Sequence, residues 1–245
     1  MSLGTAVFLC AVALLAATLS AIFGVAGGAV FFSALVWLVD AKTAIPLHSG
    51  VQLMSNLARI GVYLREVQWR IVGWFALLLL PGAYLGSLLF RFFNAHMMEA
   101  LVGAFILFTA FLPKALPMPQ SKFSFAALGF VSSFLGMIVA VTGPLIASFL
   151  TLSEVRKEQM VATKSVCQGL TQGVKLLIFA TVVKFDFGPY LPYLLAFGVA
   201  SLVGTFIGKR IIGRMPNGLY DTLNKWLLII IGANMLVKAL LGWLG

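Results

Sequence analysis

The sequence predicts an all-α protein, a polytopic transmembrane helical bundle, and three observations support this. Hydrophobic residues make up 61% of the 245 residues and charged residues 10%, whereas soluble domains average roughly 45–50% and 25%. The mean hydropathy is +1.06. The apolar runs are continuous rather than alternating, which favours helices over a porin-type barrel. These observations exclude a soluble enzyme, a disordered chain and a disulfide-stapled domain.

About eight segments follow one another along the chain, at roughly 20 residues per span. The first, Leu3–Val39, is uncharged but too long for one straight span, and Gly24-Val25-Ala26-Gly27-Gly28 predicts a break within it. Ile71–Phe90 is expected to be one apolar segment. The proline-rich stretch between the halves is typical of a linker. We therefore divide the chain into a first repeat at 1–112, a linker at 113–122 and a second repeat at 123–245.

The two halves correspond at an offset of 116 residues, which indicates an internal duplication. Identity between them is low, but polar positions stay in register in six pairs: His48 with Lys164, Ser49 with Ser165, Gln52 with Gln168, Ser55 with Thr171, Asn56 with Gln172, and Arg59 with Lys175. Gly27 likewise meets Gly143. The expected fold is thus two four-segment repeats, each with a glycine-broken first helix.

Four segments per half is an even number, so the halves are expected to be related by an axis along the membrane normal. A re-entrant glycine-broken segment would change this parity. The loops of one side carry eight Lys and Arg residues and those of the other side six. By the positive-inside rule, we expect a multi-pass protein of the cell (inner) membrane with both termini outside the cytoplasm.

All of the polar register pairs except Ser49 with Ser165 form one stripe on each of two helices, because positions 0, 4, 7/8 and 11 share a helical face. Neither stripe contains a carboxylate. A basic residue at mid-membrane costs roughly 2.5–3.5 kcal/mol, so Arg59, Lys164 and Lys175 must face protein or water. Surplus positive charge without buried acids favours an anion as the ligand. The alternatives are that Arg59 and Lys175 snorkel, that Lys164 caps a helix and that His48 packs.

We expect a substrate site that combines these side chains with the N-termini of broken helices, which attract anions. In it, His48 and Lys164 would form the two halves of one anion site, and the amides would line a central cavity. Arg59 and Lys175, about 16 Å further along their helices, would act as steering charges. The expected substrate-binding residues are Gly27, Gly28, His48, Ser49, Gln52, Asn56, Gly143, Lys164, Ser165, Gln168 and Gln172.

Other classes of protein fit less well. No metal-ligand cluster, acidic pair or Gly-x-Ser-x-Gly elbow supports an enzyme, and Cys10 and Cys167 form no metal spacing. The net charge of +10 would suggest nucleic acid in a soluble protein, but here topology and lipid headgroups explain most of it. We expect a lipid bilayer and a small anionic substrate as partners, no nucleic acid and no cofactor, and leave a homo-oligomer open.

Several motifs resemble the TauE/SafE sulfite exporter family over nearly the whole chain. They are Phe23-Gly24-Val25-Ala26-Gly27-Gly28 with Thr142-Gly143-Pro144, His48-Ser49 with Lys164-Ser165, Val67-Gln68-Trp69, and Gly82-Ala83-Tyr84-Leu85-Gly86 with Val203-Gly204-Thr205-Phe206-Ile207-Gly208. His48 and Lys164 stand where the family usually has Thr. The resemblance implies transport of sulfite, sulfonates or related organic anions. We expect a secondary transporter; an anion channel and a non-transporting scaffold or assembly factor are the alternatives.

Overall fold

The computed structural model describes residues 3–23, 26–112, 121–150, 157–212 and 217–244. Within these ranges the chain has eleven α-helices and no strand, which confirms the all-α polytopic bundle. The helices are α1 (Leu3–Phe23), α2 (Ala26–Val36), α3 (Ala41–Tyr63), α4 (Trp69–Ala76), α5 (Leu79–Phe92), α6 (Ala95–Ala110), α7 (Lys122–Val139), α8 (Gly143–Leu150), α9 (Lys157–Ile178), α10 (Leu191–Ile212) and α11 (Asn217–Leu244).

Five stretches of the described chain are long and apolar enough to cross a membrane: Gly4–Ala21, Lys122–Val139, Gln159–Val183, Gly188–Gly208 and Lys225–Trp243. The bent pair α4–α5 is a sixth candidate, and α2 and α6 are shorter apolar helices. Helix α3 is long enough but carries a polar stripe. The predicted linker is mostly outside the described residues, since 113–120 are not described and α7 already begins at Lys122.

Two first helices are broken, close to where the glycines predict. Helix α1 ends at Phe23 and α2 begins at Ala26, so Gly27 and Gly28 lie in the first turn of α2 rather than at the break itself. Helix α7 ends at Val139 and α8 begins at Gly143. Residues 24–25 and 151–156, which flank the end of α1 and the start of α9, lie outside the described residues.

The apolar segment Ile71–Phe90 is one candidate span in the structure, but it consists of two helices, because α4 and α5 meet at a bend of 43°. Pro81 lies in the first turn of α5. A proline there has no N–H to bond the preceding turn, and its ring displaces the carbonyl four residues earlier. The sequence shows this proline within the apolar run, so the bend has a visible cause.

Glycines let helices of different halves approach closely. A Cβ atom added at Gly82 or Gly86 of α5 would lie 2.5 Å from a backbone oxygen of α7, that of Phe130 or Phe134. On α10, Gly204 meets the Leu14 oxygen of α1 in the same way, and Gly208 would place a Cβ 2.5 Å from the Thr18 oxygen. Leu14 and Thr18 are exactly 116 residues before Phe130 and Phe134, so the two contacts are equivalent. Both show helices that run parallel.

Helices α6 and α11 run antiparallel. Gly103 of α6 packs on the Gly232 oxygen, with 3.0 Å from an added Cβ, while His96 near the start of α6 packs on Gly242 near the end of α11. At the other end, Lys225 lies 5.0 Å from the ring centre of Phe111.

Helices α3 and α9 also run antiparallel. They cross where Gly169 meets Asn56 and Ile60. Charges at the two ends agree with this direction, since Lys175 lies within electrostatic range of His48 and Arg59 within range of Lys164.

The predicted symmetry axis along the membrane normal is therefore wrong. Helices that correspond between the halves point in opposite directions, as in inverted-topology repeats with an axis in the membrane plane. The physical reason is that the glycine-broken first segment turns back, which makes an odd number of passes per half. We call the face with the ends of α3 and α6 and the start of α11 the linker face, and the opposite face the terminal face.

This inverted arrangement predicts on which side of the membrane each of two polar turns lies. Glu66 follows α3 at the linker face, and Asp186 follows α9 at the terminal face. We expect Glu66→Cys and Asp186→Cys, each in a Cys10→Ser, Cys167→Ser background, to react with a membrane-impermeant thiol reagent from opposite sides of sealed vesicles. Labelling of both from the same side would contradict the inversion.

Candidate functional site

The N-terminus of half-helix α2 lies against the polar stripe of α3. The Nε2 atom of His48 lies 3.0 Å from the Gly28 carbonyl oxygen, and the His48 ring packs against Phe31 and Phe32 with centroid distances of 6.3 and 5.4 Å. A Cβ at Gly28 would lie 3.1 Å from the Gln52 Nε2 atom. Glycine at this position thus lets an amide and an imidazole reach the start of the half-helix.

Half-helix α8 repeats this arrangement against α9. Gly143 at its start contacts the Gln168 amide nitrogen. The turn before it is strained: Ala140 has φ 59° and ψ −44°, and the Val141 N–H donates to the Val139 oxygen at 2.6 Å. Such a left-handed residue costs about 1–3 kcal/mol and is often found at functional sites.

Arg59 and Lys175 occupy equivalent places with different partners. The Arg59 guanidinium, partly buried, donates to the Ser20 hydroxyl at 3.4 Å and to the Ser55 oxygen at 3.3 Å. The equivalent of Ser20 in the second half is Gly136, and a Cβ there would lie 3.2 Å from the Lys175 side chain. Lys175 is 0% exposed, and its ammonium has no hydrogen-bond partner among the described residues.

The four basic residues form two pairs across the repeats, because α3 and α9 cross antiparallel. His48 and Lys175 lie toward the terminal face, and Lys164 and Arg59 toward the linker face. The expectation that His48 and Lys164 form halves of one site is therefore not met; they lie at opposite ends of the crossing. The full burial of Lys175 also does not suit a steering charge at a mouth.

Between the pairs lie buried polar atoms that lack partners within the described chain. They are Nδ2 and Oδ1 of Asn56, Oε1 of Gln172 and Nδ1 of His48, and all three side chains are at most 4% exposed. A buried polar group left unpaired costs about 1–3 kcal/mol. Unpaired polar groups of this kind along the two stripes are candidates for contact with a polar ligand.

The two predicted serines are already bonded within their own helices. Ser49 donates to the Ile45 oxygen at 2.9 Å and Ser165 to the Val161 oxygen at 2.8 Å, so each hydroxyl proton is used. Cys167 is buried in an apolar cluster, where it packs against hydrophobic side chains.

A cavity of about 390 Å³ lies between α3 and α9 but does not touch the predicted amides. Its walls are apolar: Leu53, Leu57, Ile60, Val166, Gly169, Leu170, Gly173, Val174 and Leu177. These lining residues lie on helix faces of α3 and α9 other than those that carry the polar stripes.

Sequence reasoning missed one buried ion pair. Glu99 of α6, 2% exposed, accepts a hydrogen bond from Lys238 of α11. In the sequence, Lys238 is one of the six Lys and Arg residues that we assign to the loops of one side. In the structure it lies within α11, against the Glu99 carboxylate. Both residues are single charges within apolar runs, and that was the signal that could have found them.

Comparison with known proteins gives one match. The family described as Sulfite exporter TauE/SafE matches residues 9–235, nearly the whole chain. The chain belongs to the TauE/SafE family. No curated protein and no solved structure matches it. Membership makes the chain a multi-pass membrane protein of a family that transports sulfur anions, and it is compatible with a protein that is not an enzyme.

The unpartnered ammonium of Lys175 gives a stability prediction. Even a buried ion pair can often be replaced by apolar side chains with a gain of about 1–4 kcal/mol, and a buried charge without a partner also carries an uncompensated desolvation cost. We expect Lys175→Met to melt at the same or a higher temperature than the wild-type chain in detergent, in the absence of anions.

Lys238→Met is the matched control, because it removes the same charge but leaves the Glu99 carboxylate unpaired. Breaking a buried pair costs about 3–5 kcal/mol, so this variant should melt lower. If Lys175→Met instead lost stability as Lys238→Met does, Lys175 would be a structural residue.

Proposed function

We propose that this chain is a secondary transporter of a small anion, sulfite, a sulfonate or a related organic anion, which passes along the polar stripes of α3 and α9. The observation that carries the proposal is the surplus of buried positive charge. Lys175 is 0% exposed and its ammonium has no hydrogen-bond partner among the described residues, and the stripes contain no acid. An oxyanion supplies the missing negative charge and several acceptor oxygens.

The half-helices supply the second part of the site. The starts of α2 and α8 carry backbone N–H groups and a partial positive charge. The amides of Gln52 and Gln168, next to Gly28 and Gly143, can donate to oxyanion lone pairs that the cations leave unfilled. Amide and N–H donors favour a sulfur oxyanion with three oxygens over a bare halide.

The two cation pairs suit a transport cycle. Lys164 with Arg59 faces one side and His48 with Lys175 the other, and the ends of each stripe are about 16 Å apart. Inverted repeats exchange inward- and outward-facing states when one half adopts the shape of the other. We infer that the anion moves from one pair to the other past Asn56 and Gln172, whose unpartnered atoms lie between them.

The charge distribution supports a direction for the fold in the cell membrane. Apart from the polar stripes and the Glu99–Lys238 pair, seven Lys and Arg with described backbone lie toward the linker face and three toward the terminal face. The seven are Arg65, Arg70, Lys122, Lys157, Lys209, Arg210 and Lys225; the three are Lys42, Arg91 and Lys184. By the positive-inside rule, we propose a cytoplasmic linker face with both termini outside.

Transport by the purified chain in liposomes tests this function. We expect saturable exchange of radiolabelled sulfite, inhibited by sulfonates, and at least a tenfold weaker half-saturation in Lys175→Gln and in Lys164→Gln. A charge-assisted hydrogen bond contributes about 1.5–3 kcal/mol, and 1.4 kcal/mol is a factor of ten.

Lys184→Gln is the matched control, because it removes the same charge from an exposed lysine. Lys184 directly follows Phe179–Val183, the short turn that continues α9. It should leave the half-saturation unchanged. Non-saturable flux without exchange would indicate a channel. No flux of any sulfur anion, or equal small effects of all three substitutions, would refute the proposal in favour of a scaffold.

A further inference from the structure

The C-terminal end of half-helix α2 is fixed to α11 by polar contacts. The Trp37 indole N–H donates to the Asn234 side-chain oxygen at 2.9 Å, and the Ser33 hydroxyl donates to the same oxygen at 3.5 Å. The Lys238 ammonium donates to the Val36 carbonyl oxygen and lies 5.9 Å from the Trp37 ring centre. This contact set, which we call the α2 clasp, holds the opposite end of the helix that presents Gly28 to His48.

A carboxylate controls the clasp through Lys238. The ammonium of Lys238 donates to Glu99 Oε1 as well as to the Val36 oxygen. Glu99 is the only acidic side chain that is buried within the described part of the chain. Its other oxygen, Oε2, has no hydrogen-bond partner there. The carboxylate thus has one free oxygen that can accept a proton.

A route for the proton lies beside it. The Nδ1 atom of His96 is 3.6 Å from Glu99 Oε2, and the His96 side chain is 44% exposed. An imidazole in this position connects the buried oxygen with water at the terminal face.

Other charged groups on the helices packed against α6 and α11 have contacts elsewhere. Asp40 caps the start of α3 and Lys42 lies over the Phe90 ring. His48 and Arg59 belong to the polar stripe of α3. Lys122 of α7 and Lys225 of α11 lie over aromatic rings at the linker face, and Cys10 of α1 is a free thiol. Lys238 and His96 are therefore the titratable groups that face Glu99 in the described structure.

We propose that Glu99 is a proton-binding site that opens the α2 clasp, and so couples a proton to movement of the anion. The His96 ring takes up a proton from water at Nε2 and gives its Nδ1 proton to Glu99 Oε2. The N–H bond formed at Nε2 replaces the one broken at Nδ1, an O–H bond forms on Glu99, and the ring returns to its first tautomer by exchange with water. The neutral acid no longer balances the Lys238 ammonium, and a buried ammonium without a counter-charge is unfavourable. Lys238 then turns to water and releases the Val36 oxygen. The coupling part of this inference rests on the proposed function; the proton-dependent clasp does not.

Thiol labelling of the clasp tests the inference without a substrate. A Ser33→Cys reporter is placed in the Cys10→Ser, Cys167→Ser chain, which is reconstituted in phosphatidylcholine vesicles and labelled with N-ethylmaleimide across a range of pH. The same reporter with Glu99→Gln corrects for the pH dependence of the thiol itself. We expect the clasp to be open at all pH values in Glu99→Gln. With Glu99 present, the labelling rate relative to Glu99→Gln should rise at least fivefold as the pH falls.

Two further variants keep the test decisive. Glu99→Gln with Lys238→Met removes both charges, leaves no unpaired buried charge and should also label independently of pH, even if the single variant folds poorly. Glu66→Gln removes a carboxylate at the linker face and should behave as the parent chain. The same pH dependence with and without Glu99 would overturn the proposal.

Transport assays with Glu99→Gln distinguish failure of the proton coupling from failure of the proposed anion transport. Glu99→Gln should retain exchange of radiolabelled methanesulfonate, which does not titrate near neutral pH, at equal pH on both sides. It should lose at least tenfold of the net uptake that a pH gradient drives. Failure of the parent chain to exchange any anion would count against the proposed function, while pH-dependent labelling would still support the clasp. Unchanged gradient-driven uptake in Glu99→Gln would overturn the coupling.

Discussion

A cation buried inside a membrane protein needs a negative partner, and this requirement organises the structure. Lys238 has one, because Glu99 lies opposite it on the neighbouring helix. Lys175 has none among the described residues, although it is more deeply buried. Two lysines in the same chain thus show the two solutions that a membrane protein has: a permanent carboxylate, or a ligand that comes and goes. With the second solution, the protein is less stable when no ligand is bound.

The packing of the bundle holds these cations in place. Close contacts at Gly82 and Gly86 in one half, and at Gly204 and Gly208 in the other, join each repeat to the first helix of its partner. Because van der Waals packing of small residues drives helix association in membranes, these contacts define rigid units. Half-helix α2 packs on α1, α3 and α11, and half-helix α8 packs on α7 and α9. A strained turn at Ala140 precedes α8, and polar contacts with α11 hold the far end of α2.

The sequence predicted those features that depend on one helix at a time. Composition identified the membrane bundle, and glycine placement predicted the broken first helices to within three residues. The stripes of α3 and α9 follow from the helical period, so His48, Gln52 and Asn56 share a face as expected. The chemical character of the candidate site, cationic and without acids, could also be read directly.

Features that depend on how helices meet were not predictable. The pairing of His48 with Lys175 requires the antiparallel crossing of α3 and α9, and crossing direction depends on whether the broken segments turn back. The Glu99–Lys238 pair joins residues 139 positions apart, so neither periodicity nor local spacing connects them. Serine hydroxyls such as that of Ser49 can bond either a ligand or their own helix, and only coordinates show which.

The central claim is that an oxyanion binds between the cation pairs, and anomalous scattering tests it most directly. Crystals grown with selenite, the selenium analogue of sulfite, should show a selenium peak between α3 and α9, within hydrogen-bond distance of a half-helix N-terminus or of the Gln52 or Gln168 amide. The peak should be absent from crystals of Lys175→Gln or shifted toward Lys164 and Arg59. Selenium peaks confined to exposed lysines and arginines at the two faces, with none inside the bundle, would contradict the account.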